Sequence, residues 1–435
     1  MSKNAASPFL FLTVCAIMTQ TVLFLRLKVI MTTNILKKRR FVLTVGIVTM
    51  LFAGIIYAWS ILKIPFQSKE GFTAGTLAFS YTLTMCFFCI GGFLSGLIIR
   101  RIGTRLTILI AGILAGTGIS LTGLIATSPV LLYLCYAFLG GLGIGIAYIA
   151  IISTVNAYFP DRKGLSSGAL MMGFGASTLI LGKLAAYLFD GKRLGFENTY
   201  LLYGIVIGLV LIASSFFITP PAEGTVFPAA KRKASAREED FEERDYKPTE
   251  MIRRFAFWRA FLALVCFTAV GSSVISFAND LALSVGATAG FATTLVGVLA
   301  VCNGLGRILT GIVFDTLGRR FTMIAATVLT TLAAGVTLIA IALESLPICV
   351  VGLCLTGLSY GTSPTVSSAF TMAFYGKKYF ASNLSISNFN LIGASFIATA
   401  CASLQTQSGG YVIPFILLLS LSVVSILLNL TVKKP

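Results

Sequence analysis

Arg307 stands inside an apolar run that extends from about Phe291 to Phe314, with Asn303 one helical turn earlier on the same face. A charged side chain at the centre of a membrane helix costs about 2.5–3.5 kcal/mol on insertion scales, so it marks a site rather than filler. The planar guanidinium offers a fork of donors that matches a carboxylate bidentately. The competing role is structural, an arginine tied to a helix carbonyl or to a carboxylate. No intramembrane aspartate or glutamate offers itself for that role: Asp280 lies at the outer end of the preceding span, and Asp315 closes Arg307's own run. At about 1.5 Å per residue, Asp315 lies roughly 12 Å from Arg307 along the helix axis. A single helix therefore presents a buried cation and, at its mouth, a polar latch completed by Gly318, Arg319 and Arg320.

The latch occurs twice. The stretch from Gly96 through Arg100 and Gly103 to Arg105 matches the stretch from Gly311 through Asp315 and Gly318 to Arg320, 215 residues later. Gly141-Leu-Gly-Ile-Gly145 matches Gly357-Leu-Ser-Tyr-Gly361 at nearly the same spacing, and Tyr158-Phe159 falls on Phe374-Tyr375. Parallel repeats of this size point to a duplicated transporter unit. Arg100 occupies the first copy's counterpart of Asp315, so the two halves of such a gate are expected to be unequal.

The pattern Gly-x-x-x-Asp-x-x-Gly-Arg-Arg resembles the loop motif of the major facilitator superfamily. Within that superfamily, Gly54-Ile-Ile-Tyr-Ala-Trp-Ser60, Phe159-Pro-Asp-Arg-Lys-Gly164 and Asn303-Gly-Leu-Gly-Arg307 resemble the oxalate:formate antiporter family, over a stretch from about Lys37 to the C-terminus. The resemblance implies a twelve-helix carrier that exchanges small carboxylates, with Arg307 at the position of the substrate-binding arginine. It also implies that Tyr57, Tyr148 and Tyr360 lie on helices that line the cavity. Tyr57 and Trp59 are two residues apart, so both cannot face inward on one helix. The family's oxalate carrier has a lysine in the eleventh helix, whereas the corresponding stretch here, Ser387–Phe396, offers Asn388, Asn390 and serines. One arginine among amides and hydroxyls suits a monocarboxylate better than oxalate. Lys183, within the fifth span, offers a substitute for that lysine, but its place near the span's outer end favours a snorkelling side chain.

Those residues require long apolar elements to position them, and the composition supplies them. Hydrophobic residues make up 57% of the 435-residue chain and charged residues 11%, with mean hydropathy +0.93. Soluble chains carry about 25% charged residues. Twelve runs can each cross about 30 Å of hydrocarbon. They lie near 41–62, 77–99, 106–126, 130–154, 165–187 and 199–218, then 257–278, 290–313, 321–343, 347–372, 380–403 and 411–432. The expected fold is an all-α polytopic membrane protein of two six-helix pseudo-repeats. The bundles span 31–218 and 257–435, joined by a cytoplasmic linker at 219–256 whose mixed charges and lack of apolar period read as solvated. Residues 1–30 fit three readings: an extra helix, a segment removed on maturation, or upstream sequence ahead of a start at Met31, which the sequence favours.

Basic clusters at Lys37–Arg40, Arg100/Arg101/Arg105, Arg162/Lys163, the linker, Arg319/Arg320, Lys377/Lys378 and Lys433/Lys434 fall on one side. Only Lys63, Lys69, Lys192 and Arg193 fall on the other. Lysine and arginine bias sets orientation, so both termini of the twelve-helix core are expected in the cytoplasm, in the cell membrane. The formal charge of +18 punctuates apolar runs instead of forming a patch, which argues against nucleic acid. The nine cysteines lie in apolar runs; Cys86-x-x-Cys89 has no second pair to complete a zinc site, and there is no histidine. No metal or cofactor is expected, and the groups needed for membrane-enzyme catalysis do not converge. The expectation is a monomeric secondary carrier for a small carboxylate, working by exchange in the lipid bilayer. Proton symport and a transporter-like receptor are the alternatives.

Overall fold

The computed structural model describes residues 36–68, 71–125, 127–159, 163–190, 192–222, 225, 245–376 and 379–432, with backbone alone at 163–165, 315, 319, 369, 372, 373, 380 and 381. The expected N-terminal extension, most of the linker, Lys69, Arg162, Lys377/Lys378 and Lys433/Lys434 therefore lie outside the described residues, as do the side chains of Lys163, Asp315 and Arg319.

In a hydrocarbon solvent every backbone N–H and C=O must be satisfied within the chain, and an α-helix does this locally. Among the described residues, eleven helices are long and apolar enough to cross a membrane. One of them, Ala74–Ile125, carries a non-helical residue at Gly103 (φ 79°, ψ 166°) that divides it into two. The chain thus forms α1 Leu36–Ser68, α2 (74–102), α3 (104–125), α4 Pro129–Ala157, α5 Ser166–Leu188 and α6 Gly195–Ser214. Then follow α7 Phe255–Ser284, α8 Ala289–Phe314, α9 Arg320–Ala342, α10 Leu346–Tyr375, α11 Ser382–Ser408 and α12 Val412–Thr431. These twelve helices correspond to the twelve runs read from the sequence.

Gly318 turns the chain between α8 and α9 with φ 77° and ψ 175°, the conformation of Gly103 repeated. That region of backbone space is open essentially to glycine alone. The duplication read from the sequence is therefore also present in the backbone. Each turn reverses the chain. Gly118 packs against Gly140, Gly141 packs against Thr84, and so both arms of the α2–α3 hairpin abut one segment of α4.

Between the first six helices and the last six, two antiparallel contacts face each other. Along α5 and α8, Gly168 meets Ile308, Met172 meets Gly304, Gly175 meets Ala300 and Leu179 meets Gly297. Small residues alternate between the two helices, which brings the backbones close where a hydrophobic driving force is lacking. Along α2 and α11, the Thr82 hydroxyl donates to the Ser395 carbonyl at 2.7 Å, and Phe93 packs near Phe389 with tilted rings whose centroids are 6.2 Å apart. A third contact joins α1 to α7 through Lys63 and Asp280.

Several helices are irregular near the centre. α1 tightens into a 3-10 segment at Gly54–Ala58, α7 has a non-helical residue at Phe277, and α5 widens into a π turn at Thr178–Gly182. α11 breaks at residues 388–389, between Phe380–Ser387 and Asn390–Ser408. Such interruptions in membrane helices persist where neighbouring helices or a cavity re-satisfy the freed backbone groups.

Candidate functional site

α8 carries Asn303 and Arg307 into the centre because its opposite face is made of large apolar residues: Leu305, Leu309 and Ile312 are all exposed on the outer surface of the bundle. The two polar residues are 1% and 4% exposed. Gly361 of α10 rests on this turn. A Cβ there would come 2.0 Å from the Asn303 carbonyl oxygen, so the close approach that buries Arg307 requires glycine.

The guanidinium Nε donates to Asn303 Oδ1 at 3.2 Å. Nη1 is buried with no hydrogen-bond partner among the described residues, and Asn303 Nδ2 is in the same condition. A buried charged donor left unmatched is costly, several kcal/mol even after relaxation. The Arg307–Asn303 pair therefore presents two unmatched donor groups, one of them cationic, and no carboxylate among the described residues pairs with Arg307.

Aromatic rings form the wall. Tyr57 meets Phe174 edge-on at 5.1 Å and Tyr360 at 6.1 Å. Tyr148 packs on Phe88 at 4.9 Å and Phe174 at 5.5 Å, its hydroxyl donates to Met171 Sδ at 3.2 Å, and it lies beside Arg307. Tyr57 does point to the centre, whereas Trp59 turns away to donate to the Leu77 carbonyl at 3.0 Å. The sequence reading missed Phe88 and Phe174, which nothing in composition separates from the rest of the 34 phenylalanines, although Phe174 does sit between Gly173 and Gly175.

A cavity of about 10 Å³ remains between the halves, lined by Tyr57, Thr178, Ile275, Val296, Leu299, Ala300 and Asn303. That is near the minimum for one water, so an organic anion enters this cavity only if helices separate. Thr178, on the π turn of α5, presents a buried hydroxyl with no partner among the described residues. No signal in the sequence marks it, since hydrogen-bond register leaves no compositional trace. Asn388 and Asn390 are not brought to this cavity: Asn388 Oδ1 accepts from the Ser367 hydroxyl at 3.5 Å, and Asn390 Nδ2 donates to the Ser387 carbonyl at 2.7 Å.

At the Gly103 and Gly318 turns, Gly96 and Gly311 have open space around them, and Arg100, Arg105 and Arg320 are exposed. The Arg105 guanidinium lies over the Phe216 ring at 4.3 Å, beyond the end of α6, within its own half. At the opposite end of the bundle is a contact the sequence reading did not pair. Lys63 Nζ of α1 lies 2.6 Å from Asp280 Oδ2 of α7 and donates to the Ser276 carbonyl at 3.3 Å. Lys183 is exposed and takes no part.

The α5–α8 contact makes a prediction of its own. A Cβ at Gly175 would sit 2.7 Å from the Ala300 carbonyl oxygen, a backbone atom that cannot swing aside. Overpacking of this kind costs about 1–3 kcal/mol. Gly175→Leu is expected to leave membrane insertion intact while reducing transport at least about tenfold, because the halves can no longer close on each other. Transport equal to the unsubstituted protein, measured per molecule inserted, would show that this contact does not close.

The family model described as Major Facilitator Superfamily matches residues 41–389. The oxalate:formate antiporter of Oxalobacter formigenes is 26% identical over 292 residues, 67% of this chain and 67% of that protein. An uncharacterized MFS-type transporter of Escherichia coli (strain K12), YhjX, is 27% identical over 296 residues, 66% of this chain and 69% of that one. Monocarboxylate transporter 2 of Meriones unguiculatus is 28% identical over 171 residues, 39% of this chain and 34% of its own length. Among solved structures, a point mutant of the nucleoside transporter NupG superposes with a TM-score of 0.67 at 11% identity, covering 91% of this chain and 100% of that one. A D-xylose-proton symporter superposes with a TM-score of 0.64 at 14% identity, covering 92% and 98%.

Proposed function

This chain belongs to the Major Facilitator Superfamily and is a multi-pass membrane transporter, and from that premise we propose that it exchanges small organic anions, chiefly monocarboxylates, by alternating access. The observation that carries the proposal is the Arg307 guanidinium, buried, with Nε hydrogen-bonded to Asn303 and Nη1 unmatched among the described residues. A carboxylate supplies what is missing: one oxygen for Nη1, the other within reach of Asn303 Nδ2, and a negative charge that cancels the positive one. The names of the relatives, an oxalate:formate antiporter and a monocarboxylate transporter, support the same ligand chemistry.

Arg307 and Asn303 hold the carboxylate in this reading. Tyr57, Tyr148 and Tyr360 wall the site, with Phe88 and Phe174 excluding water. The wall favours one charged group per substrate, because no second cation stands at the centre among the described residues to meet another carboxylate. The two six-helix units, 31–218 and 257–435, rock about this point, joined by the linker at 219–256. The latch residues around Gly103 and Gly318, with Arg100, Arg105, Asp315, Arg319 and Arg320, face the cytoplasm together with both ends of the twelve-helix core. One chain holds the complete site, which is consistent with a monomeric carrier.

Counterflow in proteoliposomes tests the proposal. Vesicles loaded with unlabelled formate, acetate, lactate or oxalate are diluted into the corresponding labelled acid. Transient accumulation is expected for the monocarboxylates and little for oxalate. Accumulation of none of the four would contradict the proposal.

A further inference from the structure

The Lys63–Asp280 pair bridges the two halves at the mouth opposite the Gly103 and Gly318 turns, the outward mouth in the orientation proposed above. It is a close pair with little water around it, the side chains being 11% and 29% exposed. Lys63 lies six residues beyond Tyr57, about 9 Å along the helix. On the facing helix, Ile275 lines the cavity while Ser276 and Asp280 hold the lysine. The pair is therefore the next layer outward from the cavity, on the two helices that meet across it.

Both helices are discontinuous just below the pair. α1 leaves its 3-10 segment at Ala58, and α7 departs from helical geometry at Phe277. Because the cavity admits no organic anion in this conformation, entry from this side requires α1 and α7 to part, and the ion pair to part with them. Opening then leaves Lys63 as a cation on the entry path.

We propose that Lys63 is a second anion site, occupied by the Asp280 carboxylate while the mouth is shut and by the carboxylate of an incoming substrate when it opens. Asp280 shows that the space around Nζ accepts a carboxylate oxygen at hydrogen-bonding distance, 2.6 Å, with the Ser276 carbonyl already serving a second donor. A substrate carboxylate has the same acceptor chemistry. Exchange of one carboxylate for another avoids leaving an unpaired charge in a partly buried place, which a simple separation of the pair would do. The substrate thus competes with Asp280 for the lysine, so external acid opens the mouth that admits it. Arg307 then receives the anion one layer deeper.

This inference rests on the carboxylate-exchange reading, and its test separates the two. Asp280→Asn and the double variant Lys63→Gln/Asp280→Asn both lack the ion pair and differ only in the cation. Exchange of formate, acetate, lactate and oxalate is measured in right-side-out and inside-out vesicles. For the best-transported acid, the external KM of Asp280→Asn is expected to be about tenfold below that of the double variant, the scale of one charge-assisted contact, with the internal KM alike in the two. Equal external KM values would overturn the second site and reduce the pair to a mechanical latch. Should Asp280→Asn fail to insert, Asp280→Ser against Lys63→Gln/Asp280→Ser reads the same contrast, since both of these also lack the ion pair and differ only in the cation. Transport of none of the four acids by the unsubstituted protein would overturn the exchange reading, and this inference with it.

Discussion

Arg307→Gln is expected to abolish carboxylate exchange, and Arg307→Lys to reduce it at least about tenfold, with both variants inserted and folded. The ranking follows from what each side chain offers the anion. Glutamine keeps a donor but no charge, so a carboxylate entering the closed site would be buried uncompensated. Breaking a buried pair in this way costs about 3–5 kcal/mol, which is a factor of hundreds to thousands in affinity. Lysine keeps the charge as a point on a flexible stem. It loses the fixed fork that serves a carboxylate with Nη1 while Nε stays anchored on Asn303 Oδ1 at 3.2 Å. Folding is expected to survive, because Nη1 has no partner among the described residues to lose. Glutamine removes a charge whose burial was unfavourable, so its thermal midpoint without substrate is expected to match or exceed that of the unsubstituted protein. Counterflow and thermal melting with and without lactate check both arms. Unchanged substrate affinity in the two variants would assign Arg307 a structural role.

Much of the fold was legible because the signals that carry it are local. Twelve apolar runs of membrane length announce twelve helices, and a glycine beside clustered cations announces a turn at the membrane surface. Gly103 and Gly318 show how far such a signal reaches, since the residue type alone is compatible with their backbone angles. Arg307 was legible for a related reason: a charge in hydrocarbon is expensive enough to be conspicuous. The residues that stayed hidden depend on contacts between distant parts of the chain. Lys63 and Asp280 are 217 positions apart, each unremarkable at the end of its own run, and become a pair only when α1 meets α7. Phe174 joins the aromatic wall because Gly173 and Gly175 bring α5 against α1 and α8, information that lies in the packing and not in the phenylalanine. Asn388 and Asn390 also take their surroundings from packing. Amides in an apolar stretch suggest a ligand site, yet Asn388 faces Ser367 and Asn390 bonds its own chain where α11 breaks, and neither lines the cavity.

In the proposed exchange cycle the empty site carries an uncompensated cation and the loaded site does not. Moving the empty site through the closed conformation means keeping Arg307 buried, with its partner Asn303 lining a cavity of only about 10 Å³ that has no room for a hydration shell. The penalty for an enclosed, unpaired charge is several kcal/mol even after relaxation, whereas a bound monocarboxylate neutralises it. The loaded carrier should therefore change sides at least about a hundredfold faster than the empty one. The measurement is the efflux of labelled acid from loaded proteoliposomes, with the pH gradient collapsed, into medium with and without the same unlabelled acid. Fast efflux only when the external acid is present is the predicted result; efflux into acid-free medium at the exchange rate would contradict the account and favour a uniporter or a proton symporter.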